Sequence, residues 1–262
     1  MKEKKDFNDL IEIIQILRSP QGCPWDREQT HKSMQRQLVE ECYEVLDAIN
    51  EEDMSALKEE LGDILLHVVF HSLIAKENNE FDISDVIDGI CQKMIGRHPH
   101  VFDVKKDITS DEVLDSWDER KKKEKGFETV TDEMNAVARA LPALTRSAKI
   151  QKKASKVGFD FENVEQAMAK IEEELNEIKD VYKTGNLSRI EEEVGDLLFS
   201  AVNVGRFLKV DCEEALEKTT NKFVKRFSFI EEAAIAQNKN LDNMGLEEMD
   251  ELWELVKQEK NV

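Results

Sequence analysis

The sequence predicts an all-α protein built as two similar halves, and three observations carry that prediction. Apolar residues recur three and four apart along most of the chain, and no stretch reads convincingly as an alternating strand. Charged residues make up 36% and aromatics 6%, with only 10 Gly and 4 Pro; this usage suits long amphipathic helices better than a β-sandwich, which needs more turn residues. One stretch also occurs twice: LVEECYEVLDAINEEDMSALKEELGDILLHV over 38–68 and IEEELNEIKDVYKTGNLSRIEEEVGDLLFSAV over 171–202. Such duplication in a chain of 262 residues favours two modest domains.

Each element follows from its own residues. Residues 6–18 place Leu10, Ile13, Ile14 and Leu17 on one helical face. Pro20, Gly22 and Pro24 then break the chain into a turn. A helix over 29–50 carries the stripe Leu38, Cys42, Val45 and Ile49. Asp53 is placed to cap the next helix, over 54–76, whose stripe is Leu57, Leu61, Ile64, Leu65 and Val68. Beyond Asp63 that helix is apolar nearly all round, so it must be covered on more than one side. Ser84 is the expected cap of a fourth helix, which reaches about Arg97, and RHPHVF ends the first unit at Pro99.

Ser110 is the expected cap of a short helix through Trp117 and Lys121, and the apolar-poor run KKKEKGFETVTDE reads as a solvated linker. The second unit opens with a helix over 132–154, interrupted or kinked at Pro142. The repeat helices follow over 163–183 and 187–208, joined by a turn at Thr184, Gly185 and Asn186. A helix over 212–237 matches the fourth helix of the first half, and a last one over 246–260 carries Leu252, Trp253 and Val256. The expected organisation is therefore one domain over 1–120, a linker over 121–131 and a second domain over 132–262.

A formal net charge of −20 repels polyphosphate backbones, which argues against a nucleic-acid polymer as partner. A small anionic substrate would need metal cations to approach. Cys23, Cys42, Cys91 and Cys212 form no CxxC pair or finger spacing and read as reduced thiols of a cytoplasmic protein. The N-terminus lacks the apolar segment of a signal peptide, and no run is long enough to span a membrane.

The repeat sets acidic residues at Glu40, Glu41, Glu44, Glu60 and Asp63, and again 133 residues later at Glu173, Glu174, Glu177, Glu193 and Asp196. Residues three apart share a helix face, so Glu41 projects with Glu44 and Glu60 with Asp63. A short loop pairs the two helices antiparallel, and four carboxylates then converge in the groove between them. Without cations such a cluster repels itself. Hard oxygen ligands suit Mg²⁺, with Mn²⁺ as an alternative, and the lack of Cys or His ligands argues against zinc.

A lone ExxE is usually a solvated face; two linked pairs, duplicated without a gap, are not explained that way. Gly62 and Gly195 sit beside the acidic pairs inside helices, where glycine costs about 1 kcal/mol relative to alanine, and suggest close backbone approach. Each half also carries a basic pair four apart, Lys93 with Arg97 and Lys222 with Arg226, suited to a phosphate chain. His67 has Ser200 as its counterpart and reads as a core or ligand-supporting histidine. The one ExxH spacing considered, Glu28 to His31, lies outside the repeat and excludes a di-iron carboxylate bundle.

The motifs GCPWDREQTH (22–31), EECYEVLDAI (40–49), EELGDILLHVVFH (59–71), RHPHVF (97–102), KKASKVGFDF (152–161), EEEVGDLLF (191–199) and NKFVKRF (221–227) span nearly the whole chain. In this order the chain resembles the MazG family of nucleoside triphosphate pyrophosphohydrolases, in its long two-domain bacterial form. The resemblance implies tandem all-α domains whose four-helix cores are completed by dimerisation. It implies Mg²⁺-dependent hydrolysis of nucleoside triphosphates to monophosphate and pyrophosphate, with a house-cleaning role in the nucleotide pool as a narrower reading.

Carried over, Glu174, Glu177, Glu193 and Asp196 look like metal ligands, and Glu41, Glu44, Glu60 and Asp63 are their repeat counterparts. Lys222 and Arg226 look like phosphate contacts, with Lys93 and Arg97 as the first-half pair. Trp253 and Lys257 lie where this form contributes to nucleotide binding, and Glu173 or Glu174 is the candidate general base. The second half is favoured as the working one because the last helix lies close by in sequence. Apolar runs over 65–70 and 194–204 predict a homodimer. The competing reading is an acidic helical interaction or nucleotide-sensing protein with one or both sites non-catalytic; magnesium-dependent pyrophosphate release separates the two.

Overall fold

Among residues 4–103 and 108–258, which the computed structural model describes, all regular structure is helical. The chain divides into two compact units, Met1–Lys121 and Lys122–Val262. Among the described residues no helix is long and apolar enough to cross a membrane, and the four cysteines are free.

In the first unit α1 (Phe7–Arg18) starts at Asp6, which accepts from the Asn8 and Asp9 amides while Asp9 closes a capping box. The GCPWD turn then folds back over the end of α1. The Cys23 amide donates to Leu17 O at 2.8 Å, and a Cβ on Gly22 would lie 2.2 Å from that same oxygen, so only glycine fits. The chain departs from the predicted long helix over 29–50. PWDRE forms a short helix, α2 (Pro24–Glu28), and α3 spans Gln35–Asn50. Thr30 and Ser33 exchange hydrogen bonds between amide and hydroxyl, a local turn that competes with helix.

Asp53 caps α4 (Met54–Glu77) as expected, and α3 pairs with α4. The cap of α5 (Ile83–Arg97) is Asp82, not Ser84, because Asp82 and Asp85 close a capping box. After α6 (Pro99–Phe102), α7 (Ser110–Lys125) takes in part of the lysine run read as linker. Its first turn is held by Thr109, which exchanges bonds with Glu112, rather than by Ser110. Ile14, Met34, Val69, Phe70, Leu73 and Ile74 form the core of this unit. Much of the predicted α4 stripe is not in it: Leu61, Leu65 and Val68 are exposed.

The second unit begins with two helices where one kinked helix was predicted, α8 (Val130–Asn135) and α9 (Ala143–Ser155). Pro142 immediately precedes α9, a place where its missing N–H costs nothing. α10 (Val164–Val181) and α11 (Leu187–Leu208) form the second hairpin, with Gly185 in the turn at φ +71°. α9 packs on α11 and also touches α12 (Cys212–Ala236), and α13 (Leu246–Gln258) packs on α12. Ile230, Ala234, Met244 and Val256 are buried in this unit. The predicted end of the last helix at Lys260 lies outside the described residues.

Gly62 and Gly195 do not mark a close approach within the chain. Among the described residues, a Cβ at either would meet no atom within 4 Å beyond the nearby backbone of its own helix.

Candidate functional site

The α10–α11 hairpin brings one carboxylate oxygen from each of Glu174, Glu177 and Glu193 within 4.8 Å of one another. Glu174 and Glu193 are both 3% exposed. Burying ionised carboxylates is costly unless they are paired, and each has a cation four residues before it on its own helix. Lys170 Nζ lies 2.5 Å from Glu174 and 2.9 Å from Glu173; Arg189 Nη2 lies 2.7 Å from Glu193. The two carboxylates hold the Lys170 ammonium firmly protonated. Glu177 is raised above the usual carboxylate range, first by sharing hydrogen bonds with Glu174 and Glu193 and then by desolvation and their charge. Glu174 Oε2 is buried without a hydrogen-bond partner.

The α3–α4 hairpin repeats the cluster with Glu41, Glu44 and Glu60, again within 4.8 Å. It lacks the resident cations, because the positions matching Lys170 and Arg189 are Gln37 and Ala56. Desolvation, then Glu44 and Asp63, raise both Glu41 and Glu60. Asp63 thus stands close enough to act on its neighbours, although it is outside the three-oxygen group. Asp196 is exposed and is also outside its group. Glu173 is held by Lys170 beside the second cluster rather than in it.

The donor sets are all carboxylate oxygen, they converge, and one buried oxygen is orphaned. These residues fit a hard divalent cation. Lys170 and Arg189 escaped the sequence reading. Their only signal was a basic residue four before an acidic one, a pairing common on any solvated helix.

The second basic pair is assembled with the last helix. The Arg226 guanidinium lies 5.7 Å from the Trp253 ring centre, and Trp253 is 5.1 Å from Phe223. Lys222, exposed, is one turn before Arg226. Lys257 pairs with Glu254 of its own helix at 2.5 Å. No hydrogen bond or ion pair joins this group to the carboxylates among the described residues, and the main neighbours of α12 are α9 and α13. In the first half Lys93 is exposed, but Arg97 is 5% exposed and lies 4.8 Å from the Trp117 ring centre.

A histidine group also sits in the first unit. His31 Nδ1 and His71 Nδ1 are 2.8 Å apart, and His67 stacks near His71. Burial lowers both His67 and His71, so they favour the neutral imidazole.

With this geometry in place, the similarities of the chain are informative. A model of the MazG nucleotide pyrophosphohydrolase domain matches residues 29–102 and again 149–228. The nucleoside triphosphate pyrophosphohydrolase/pyrophosphatase MazG of Thermotoga maritima is 45% identical, covering 96% of this chain and 95% of its own. The nucleoside triphosphate pyrophosphohydrolase of Escherichia coli K12 is 40% identical over 96% of this chain and 97% of its own. A MazG-related protein from Thermotoga maritima, known as a crystal structure, is 30% identical over 44% of this chain and 98% of its own, with a TM-score of 0.39.

Proposed function

The chain belongs to the MazG nucleotide pyrophosphohydrolase family, and from that premise we propose that it hydrolyses nucleoside and deoxynucleoside triphosphates to the monophosphate and pyrophosphate. The reading includes Mg²⁺ as the cofactor, with Mn²⁺ as an alternative, and a role in clearing unwanted nucleotides. The observation that carries it is the convergence of Glu174, Glu177 and Glu193, the first of which also has a buried carboxylate oxygen without a partner. A helical interaction protein has no need for that arrangement.

Glu174, Glu177 and Glu193 would hold the cation, with Asp196 one turn along α11 from Glu193 as the fourth candidate ligand. When bound, a divalent ion supplies the charge that neutralises triphosphate oxygens and polarises the phosphorus. The protein's own residues orient and move protons. Lys170 bridges Glu173 and Glu174, holding two carboxylates side by side, and either one accepts the proton of the attacking water. Lys222 and Arg226 offset the charge that grows on the leaving pyrophosphate, and Trp253 fixes the Arg226 guanidinium. Lys257 serves the nucleotide after exchanging its bond to Glu254. Pyrophosphate release from nucleoside triphosphates, with and without Mg²⁺, tests the proposal. Metal-dependent release is expected, and its absence under both conditions would leave only the binding-protein reading.

The proposal extends to a homodimer. Leu61, Leu65 and Val68 on α4, and Val194, Leu198 and Phe199 on α11, are all at least 38% exposed. Water contact along two apolar stripes is unfavourable at about 25 cal/mol per Å², so a second copy covering them is the economical solution. Light scattering at micromolar concentration is expected to return twice the chain mass; a particle of 30.2 kDa would count against it.

A further inference from the structure

The second unit has a basic side that the carboxylate chemistry leaves unused. Residues 134–159 contain no acidic residue and six basic ones, Arg139, Arg146, Lys149, Lys152, Lys153 and Lys156, in a chain whose acidic residues outnumber its basic ones 57 to 37. α9 carries four of the six, and with the end of α11 and the start of α12 it walls a cavity of roughly 330 Å³. Leu144, Ala148, Val202 and Val210 give the cavity apolar walls, and Lys149, Lys152, Arg206 and Lys209 give it cations. We propose that this cavity is a second anion site, which takes a ligand carrying two or more linked phosphates away from the carboxylate cluster.

Three features argue for an anionic ligand. The first is that the lysines are unspent. Lys153, which does not line the cavity, pairs with Glu133 at 3.0 Å, but among the described residues Lys149, Lys152 and Lys209 have no ion-pair partner. Three like charges around one cavity repel one another, and a polyanion relieves that cost. The second is that the fold does not require them. Gln15 stands seven residues before Gly22, as Gln151 stands before Gly158, so α1 is the counterpart of α9. In that register Lys149 and Lys152 fall on Ile13 and Ile16, and α1 has Arg18 as its one basic residue. The third is Lys209, which ends α11 in the left-handed conformation at φ +58°. Glycine or asparagine is the usual residue there, so a lysine at that place is kept for its side chain.

The site stands apart from the hydrolytic one. Val202, the first α11 residue in the lining, is nine residues past Glu193, a helical rise of about 14 Å. The chain's net charge of −20 does not forbid an anion here, because charges separated by more than about 10 Å are largely screened in 0.1 M salt and the nearby cations dominate. Arg206 is already engaged by Asp160, and Asp211 spends its carboxylate on the Glu213 and Glu214 amides, so the three lysines are the groups left to bind. Ammonium point charges on long stems follow a phosphate chain without demanding one geometry.

The test is calorimetric titration of the full chain with inorganic tripolyphosphate in EDTA, where the metal-free carboxylate clusters repel anions. Saturable binding is expected, weakening as salt is raised. The double variant Lys149→Gln, Lys152→Gln, at two exposed positions, is expected to raise Kd by about tenfold or more, and Lys222→Gln to leave it within about twofold. ATP, which is not turned over without metal, is expected to bind with the same loss in the double variant. A Kd close to that of tripolyphosphate would mark the phosphate chain as what is read, and a tighter one would mark a nucleotide; both support a polyphosphate site. AMP binding as tightly as tripolyphosphate would overturn the need for linked phosphates. No binding of tripolyphosphate, or a loss in Lys222→Gln as large as in the double variant, would overturn the site. A protein that binds tripolyphosphate through these lysines but releases no pyrophosphate with Mg²⁺ would remove the hydrolase reading and leave this one standing.

Discussion

Glu193→Ala is expected to lower kcat for nucleoside triphosphate hydrolysis by about 10²- to 10³-fold, a loss of the size seen when one preorganised electrostatic group is removed from an active site. Glu60→Ala, its counterpart in the first half, is expected to cost less than about tenfold. The asymmetry follows from the surroundings. Glu193 is 3% exposed and its cluster already carries Lys170 and Arg189 to hold the carboxylates in place. In the same half Arg226 lies over Trp253 with Lys222 one turn away. In the first half Arg97 is tucked against Trp117, and Gln37 and Ala56 stand where the cluster's cations would be.

The Glu193 variant is expected to fold. It removes one of three mutually repelling carboxylates, and the half-exposed Arg189 it leaves behind can turn to solvent. Steady-state rates for both variants decide the matter. Equal losses would mean that the second half is not the dominant site.

Phe70→Ala is expected to destabilise the first unit by about 3–5 kcal/mol, the usual cost of emptying a core site of this size. Phe70 is 2% exposed and sits with Ile14, Met34, Val69, Leu73 and Ile74, while the Arg18 guanidinium lies 5.0 Å from its ring centre. Arg18 is held in turn by Glu77 at 2.6 Å, so the lost ring also leaves that cation without its packing surface. A fall in the first thermal midpoint on the order of 10 °C is expected, against a shift within about 0.5 kcal/mol for Ile16→Ala, whose side chain is 59% exposed. Equal shifts for the two variants would mean that the core is not where these contacts put it.

Helix periods and the breakers at Pro20, Gly22 and Gly185 made the order of the main elements legible without coordinates. Helix 187–208 and the Asp53 cap were found at their observed places. The two misplaced caps share one cause. Ser84 and Ser110 are good capping residues, but Asp82 and Thr109 have partners three residues on, and a reciprocal pair outweighs a single hydroxyl. The long helix over 29–50 failed because the Thr30–Ser33 turn satisfies backbone amides locally, which apolar periodicity does not register.

The sequence by itself determined the all-α class, the duplication and three of the four carboxylates expected to meet in each half, because all three rest on spacing along single helices and on one short loop. Tertiary structure decided which groups remain in company. It buried Glu174 and Glu193, placed Arg226 over Trp253 and Arg97 against Trp117, and opened a cavity beside Gln151. Those outcomes depend on how helices distant in sequence pack, and on which polar atoms are left without water. One chain of letters read in order carries neither quantity.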